Sequence, residues 1–98
     1  MTSEVAANQG DLGYADGAMC HAHGCLLAVD TVASLGGVPL QADQLQIDVI
    51  YTGSQKVLGV PPGTAPISFS PRAVESFKAR TRPPCSFYLG QSLTISPY

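Results

Sequence analysis

An aspartate and a lysine each come after a short apolar run, and two such side chains close together could carry out a reaction. Asp30 ends the run 25–29, and Lys56 follows a second run, 49–51, through the turn residues 52–55. A neutral lysine amine can attack a carbonyl carbon, and a carboxylate can keep a ring nitrogen protonated. If the two runs are neighbouring parallel strands, both groups lie at the sheet edge where ligands of open α/β sheets bind.

The elements that must position these groups follow from apolar runs and turn residues. The chain is predicted to be α/β, with a short crossover that makes the first two strands parallel and a close connection that makes the third antiparallel. The predicted strands lie at about residues 25–30, 48–52 and 65–69. Flanking helices are predicted at about 16–23 and 71–80, while residues 1–15 are expected to be loose.

Cap residues support both helices. Asp16 is a suitable N-cap for the first helix, and Gly24 can end it in the left-handed conformation. Ser70 can cap the second helix, with Pro71 at its first position, where the missing N–H is not needed.

Composition limits the function. The chain has 98 residues, so it is one small domain or a piece of a larger protein. Only 12% of its residues are charged and its net charge is −2, which argues against a nucleic-acid partner. No apolar run reaches the length of a membrane span, and no targeting signal is recognised. We therefore expect a soluble intracellular protein whose three cysteines are free thiols.

The acid and the amine together suit pyridoxal 5'-phosphate. This cofactor needs a lysine to hold its aldehyde as a Schiff base, and a carboxylate beside its ring nitrogen to keep the ring electron-withdrawing. Lys56 is followed by Val57, Leu58 and Val60, and we expect these residues to give it dry surroundings. Either residue alone is more often a turn or surface residue, so the interpretation depends on the pair.

A rival pattern offers zinc ligands. Cys20, His21, His23 and Cys25 lie within one short stretch of the chain. Structural zinc sites usually take their ligands from two separated pairs, and the remaining cysteine, Cys85, is alone. We expect Cys20 to face the sheet and Cys25 to be buried as a small hydrophobe. The residue types and their spacing therefore favour no metal site, with a small zinc-binding module as an alternative.

Three stretches carry a family resemblance: CLLAVDTVASLGG at 25–37, YTGSQK at 51–56 and PPGT at 61–64. They resemble the alanine–glyoxylate (serine–pyruvate) aminotransferases, class V members of the fold type I pyridoxal phosphate enzymes. The likeness runs from about residue 16 to residue 89. It implies that residues 16–89 are a fragment of the large, cofactor-binding domain, with divergent segments at 1–15 and 90–98.

The resemblance also implies residue roles. Lys56 would be the catalytic Schiff-base lysine and general base, and Asp30 would pair with the pyridine nitrogen. Val32 would pack on one face of the ring, and Gln55 would reach the phosphate. The substrates would be a small amino acid, such as alanine or serine, and a 2-oxo acid, such as glyoxylate or pyruvate. The family forms homodimers in peroxisomes or mitochondria.

Other family features have no counterpart in this sequence. These are the upstream phosphate loop, the aromatic residue on the other ring face, and the downstream arginine for the substrate carboxylate. The isolated chain is therefore expected to bind the cofactor weakly and to be inactive. Two classes of function remain: a segment of an aminotransferase, and a truncated product without catalysis.

Overall fold

The computed structural model describes residues 3–8 and 16–83, and a four-stranded mixed sheet forms its centre. The strands follow the order β1, β2, β3, β4: Ser3–Asn8, Cys25–Asp30, Val49–Tyr51 and Ile67–Phe69. Strands β1 and β3 run parallel to β2 on its two sides, and β4 is antiparallel to β3. The α/β prediction, with a parallel pair and an antiparallel third partner, is confirmed.

Strand β1 corrects the expectation of a loose segment for residues 3–8; the other residues of the segment 1–15 lie outside the described residues. Its residues Ser3–Asn8 pair with all of β2, from Ser3 opposite Cys25 to Asn8 opposite Asp30. The sequence SEVAAN contains Ala, Glu and Asn, which do not favour strands locally. The strand therefore depends on pairing with the edge of β2, which local propensity does not reveal. The predicted divergent tail at 90–98 lies outside the described residues.

Both predicted helices form, and each begins at its predicted cap. Helix α1 (Gly17–Ala22) starts where Asp16 Oδ1 accepts a hydrogen bond from the Ala18 N–H at 2.8 Å. Helix α2 (Pro71–Lys78) starts where Ser70 Oγ accepts one from the Ala73 N–H at 3.1 Å. Within residues 3–8 and 16–83, no helix is long and apolar enough to cross a bilayer.

The core lies against β2. Leu27 and Val29 are fully buried on the same face of the strand, and they form a cluster with Ile47. Five partly buried residues surround this cluster: Cys20, Leu40, Ala42, Leu45 and Ile50. The core therefore joins α1, β2, β3 and the turn segment that precedes β3.

Helix α1 docks on that turn segment through a glycine. The Gly17 N–H donates to the Leu45 carbonyl at 2.9 Å, and a Cβ at Gly17 would collide with the carbonyl oxygens of Leu45 and Gln46. Gln46 itself has φ +51°, a left-handed conformation that closes the turn before β3. Only glycine lets the helix start approach the backbone this closely.

Candidate active site

The carboxyl ends of β2 and β3 are fastened to each other by two buried threonines. The N–H and the hydroxyl of Thr31 both donate to the Tyr51 carbonyl at 2.9 Å. The Thr52 hydroxyl donates back to the Thr31 carbonyl at 3.2 Å. These bonds satisfy buried polar groups and hold the segments that leave the two strands side by side.

Asp30 ends β2 with its carboxylate held at both oxygens. Oδ1 accepts a hydrogen bond from the Val32 N–H at 2.9 Å, and Oδ2 accepts one from the Tyr51 hydroxyl at 3.1 Å. Asp30 is half-buried. Because a carboxylate offers about four acceptor positions, capacity remains for a further donor.

Tyr51 lies directly opposite Asp30 in the register of the sheet. The hydrogen bond to the Asp30 carboxylate, with smaller contributions from desolvation and from the carboxylate charge, raises the pKa of Tyr51 above its ordinary value of 10.0. The phenol is therefore held in its protonated form, in which it can donate to Asp30.

The side chains of Val32 and Gln55 both lie close to Gly53. A Cβ at Gly53 would come within 2.9 Å of Gln55 Oε1 and within 3.6 Å of Val32 Cγ1. The missing side chain thus leaves a small space between an apolar side chain and a carboxamide. Since Val32 also donates to Asp30, three of the predicted cofactor contacts lie together at this sheet edge.

Lys56 lies in the next turn, whose backbone is anchored by Ser54. The buried Ser54 hydroxyl donates to the Pro61 carbonyl at 2.8 Å, and the Ser54 N–H donates to the Thr64 carbonyl at 3.1 Å. The Gly59 N–H donates to the Lys56 carbonyl at 3.0 Å. Ser54 is therefore a turn anchor, and its hydroxyl is not positioned by Lys56.

The surroundings of Lys56 differ from the expectation. The lysine is exposed, and the neighbouring Val57, Leu58 and Val60 are 42%, 40% and 52% exposed. The predicted dry environment is absent from the part of the chain that the structure describes. Apolar residues next to a lysine in sequence do not exclude water unless another surface covers them.

The chemical character of this edge fits pyridoxal phosphate. A carboxylate suits the ring nitrogen, valine methyls suit a ring face, and a carboxamide can donate to a phosphate oxygen. Lys56 follows Gln55 directly in the sequence and carries a primary amine, the group that the cofactor's aldehyde requires. The donor set at the end of β2 and β3 therefore matches the parts of this cofactor.

The alternative zinc site does not assemble. Cys20 packs against the core cluster, where burial raises its pKa, and Cys25 is half-buried with its thiol directed to the His23 carbonyl at 3.6 Å. His23 Nδ1 donates to the Met19 carbonyl at 2.9 Å. No group of three or more possible metal-ligating side chains occurs among residues 3–8 and 16–83.

The fourth candidate ligand, His21, belongs to a buried network that sequence reasoning missed. Its Nε2 donates to Asp48 Oδ2 at 2.7 Å, and the Leu27 N–H donates to the same oxygen at 2.9 Å. The Ser70 hydroxyl donates to Asp48 Oδ1 at 2.8 Å. Because this hydroxyl points to the acid and not to the histidine, the three side chains do not form a nucleophilic triad.

Comparison with known proteins identifies relatives over most of the chain. The sequence profile of the family described as aminotransferase class-V matches residues 15–83. An alanine–glyoxylate aminotransferase from Oryctolagus cuniculus is 54% identical over 77 residues, which cover 79% of this chain and 20% of the relative. The chain thus spans about a fifth of the length of the curated relatives it matches.

Solved structures give the same result. An alanine–glyoxylate aminotransferase from Nostoc sp. superimposes with a TM-score of 0.78 and 36% identity, over 90% of this chain and 25% of that one. A ureidoglycine–glyoxylate aminotransferase from Bacillus subtilis gives a TM-score of 0.77 and 34% identity, over 90% and 24%. The fold is that of fold type I aminotransferases.

Proposed function

The chain belongs to the class V aminotransferase family, and from that premise we propose that Lys56 binds pyridoxal phosphate at the carboxyl ends of β2 and β3. Residues 16–89 would be part of the large domain that binds the cofactor. The observation that carries the proposal is the meeting of Asp30, Val32 and Gln55 at one sheet edge, with a lysine as the residue that follows Gln55 in the sequence.

Four residues are assigned roles toward the cofactor. Lys56 would hold the cofactor through its side-chain amine. Asp30 would accept a hydrogen bond from the ring nitrogen, Val32 would lie against one ring face, and Gln55 would donate to the phosphate. The bound cofactor would draw electrons from the substrate's α-carbon, and Lys56 would move the α-proton.

The proposed reaction is transfer of an amino group from a small amino acid, alanine or serine, to a 2-oxo acid, glyoxylate or pyruvate. The names of the relatives from rabbit and Nostoc support this choice. We further propose a homodimer located in peroxisomes or mitochondria, supported by family membership. Analytical ultracentrifugation and fractionation of cells that express the chain test these two statements.

Covalent labelling tests the cofactor assignment. The chain contains two lysines, Lys56 in the proposed site and the exposed Lys78 in α2. Borohydride adds hydride to the C=N carbon while the nitrogen takes a proton from water, which makes the bond permanent. After mixing with pyridoxal phosphate and reduction, peptide mass spectrometry should find the label mainly on Lys56.

Matched variants complete that test. Lys56→Ala should remove most of the label, whereas Lys78→Ala should leave it. Equal labelling of the two lysines in a folded sample would indicate nonspecific reaction and would support the non-catalytic alternative.

A segment exchange tests the activity. We expect the isolated chain to show no turnover, since Lys56 is exposed and one phosphate contact, Gln55, is assigned. Residues 16–83 should instead support transamination when they replace the matching stretch of the rabbit relative. Lys56→Ala in that hybrid should abolish the reaction, and Lys78→Ala should not. An inactive but folded hybrid that carries both lysines would contradict the proposal.

A further inference from the structure

We propose that Tyr51 is a positioning residue for the cofactor: its hydroxyl holds the Asp30 carboxylate in the orientation that meets the pyridine nitrogen. The inference rests on the proposed function and adds a residue to it. Tyr51 would not touch the reacting atoms and would act through Asp30.

The strand register places the phenol for this role. Asp30 and Tyr51 are opposite each other on parallel strands, so their side chains leave the sheet on the same face. The Tyr51 hydroxyl donates to Asp30 Oδ2 at 3.1 Å. The backbone at Tyr51 is itself fixed, because its carbonyl accepts two hydrogen bonds from Thr31 at 2.9 Å.

Two donors on different oxygens define the plane of a carboxylate. The Val32 N–H binds Asp30 Oδ1, and the Tyr51 hydroxyl binds Oδ2. With the Val32 bond alone, the carboxylate keeps rotational freedom, and a bound ring would have to restrict it. Each oxygen still has an acceptor position, so the phenol leaves room for the ring N–H.

The surroundings of the Tyr51 phenol argue against a role in the general stability of the fold. Tyr51 is 41% exposed, and its hydroxyl has Asp30 as its partner at the surface of the sheet. Removal of the hydroxyl should therefore affect cofactor binding more than folding. The protonated state of the phenol agrees with donation to Asp30, since the carboxylate raises the pKa of Tyr51.

Tyr51→Phe is the direct test, because it removes the hydroxyl and keeps the ring. Cofactor binding to the 98-residue chain is measured by absorbance titration, and the cofactor's ring nitrogen is followed by NMR with a ¹⁵N label. We expect the dissociation constant to rise about three- to tenfold, the effect of one hydrogen bond. The ring nitrogen should also lose its proton at a lower pH than in the unaltered chain.

Ser70→Ala is the control. It also removes one hydroxyl, but that hydroxyl donates to Asp48 and not to Asp30 or Tyr51. The control should unfold at lower urea concentration while the ¹⁵N titration of the bound cofactor stays unchanged.

The outcomes separate the two proposals. If Tyr51→Phe binds the cofactor equally well or more tightly while Lys56 is still labelled, the positioning role is wrong and the proposed function stands. An equal effect of Ser70→Ala would also overturn the positioning role, because a general loss of stability would explain both. If the unaltered chain shows no label on Lys56, the proposed function fails and the role of Tyr51 fails with it.

Discussion

Two carboxylates at the ends of adjacent strands have contrasting surroundings. Asp48 precedes β3, is 2% exposed and accepts hydrogen bonds from His21, Leu27 and Ser70. Asp30 ends β2, is half-buried and accepts from its own turn and from the neighbouring strand. One acid is enclosed by the protein, and the other faces outward.

The source of the donors explains the difference. The donors to Asp48 come from α1, from β2 and from the N-cap of α2, so this side chain connects three elements that are separate in sequence. The donors to Asp30 come from its own turn and from β3, and they fix the direction of the carboxylate. A carboxylate that receives donors from several elements is suited to stability, and one that keeps a free acceptor position is suited to a ligand.

The largest effect is expected from the isosteric change Asp48→Asn. The new amide group cannot accept from the donors that face one of the carboxylate oxygens, so buried N–H or O–H groups lose their partner. Breaking such a buried charged network costs about 3 kcal/mol or more in the free energy of unfolding. Urea unfolding followed by circular dichroism measures the loss.

Asp30→Asn is the matched control for that experiment. It should lower the free energy of unfolding by less than about 1 kcal/mol, because the amide oxygen can still accept from the Val32 N–H and the amide N–H can donate to the Tyr51 hydroxyl oxygen. An Asp48→Asn chain that is unfolded without urea would also meet the prediction, provided that Asp30→Asn stays folded. Equal losses would remove the distinction between the two acids.

A smaller effect is expected from Ser70→Ala. The Ser70 hydroxyl donates to Asp48 and accepts from the Ala73 N–H, so the change removes a cap and one donor of the network. The expected loss is about 1–2 kcal/mol in the free energy of unfolding. Ser70→Thr keeps the hydroxyl and should recover most of it; a threonine variant as unstable as the alanine variant would point to crowding at this site instead.

The pH dependence of stability should also distinguish the network. Burial acts to raise the pKa of Asp48, but the hydrogen bonds from His21, Leu27 and Ser70 outweigh it, and the pKa lies below its ordinary value of 3.8. Its stabilising contribution is therefore complete above that value and is lost as the pH falls through the folded-state pKa. Urea titrations between pH 5 and the acid limit should show this decline. In Ser70→Ala the decline should be smaller and should end at a higher pH, because the loss of one donor brings the folded-state pKa of Asp48 closer to its ordinary value. An identical decline in both chains would contradict the assignment to Asp48.

The elements that sequence predicted well are those whose signals are local. Strand β2 was predicted at its observed bounds because a continuous apolar run ends at a polar residue. Both helix starts followed from side-chain caps, at Asp16 and Ser70, which act within three residues. Asp30 and Lys56 were proposed as site residues because each comes after an apolar run, and their roles stay predictions.

The features that sequence did not predict depend on distant partners. Strand β1 forms on the edge of β2 from residues with little strand propensity. The Asp48 network joins residues 21 to 27 positions away, and no local pattern indicates such pairs. Lys56 was expected to be dry, but its apolar neighbours are exposed, since burial depends on surfaces beyond the neighbouring residues.

The smallest effect concerns the outward-facing acid and its tyrosine. Because the Asp30 carboxylate raises the pKa of Tyr51, Asp30→Asn should lower that pKa toward the ordinary value of 10.0. NMR titration of the chain with ¹³C-labelled tyrosine can resolve this phenol from the other three tyrosines, and Tyr51→Phe assigns its signal. Asp48→Asn, if folded, should leave the signal in place, because Asp48 has no hydrogen bond to Tyr51 among its described partners. A Tyr51 pKa that does not respond to Asp30→Asn would mean that the phenol does not donate to Asp30 in solution, and the acid would then depend on Val32 alone for its orientation.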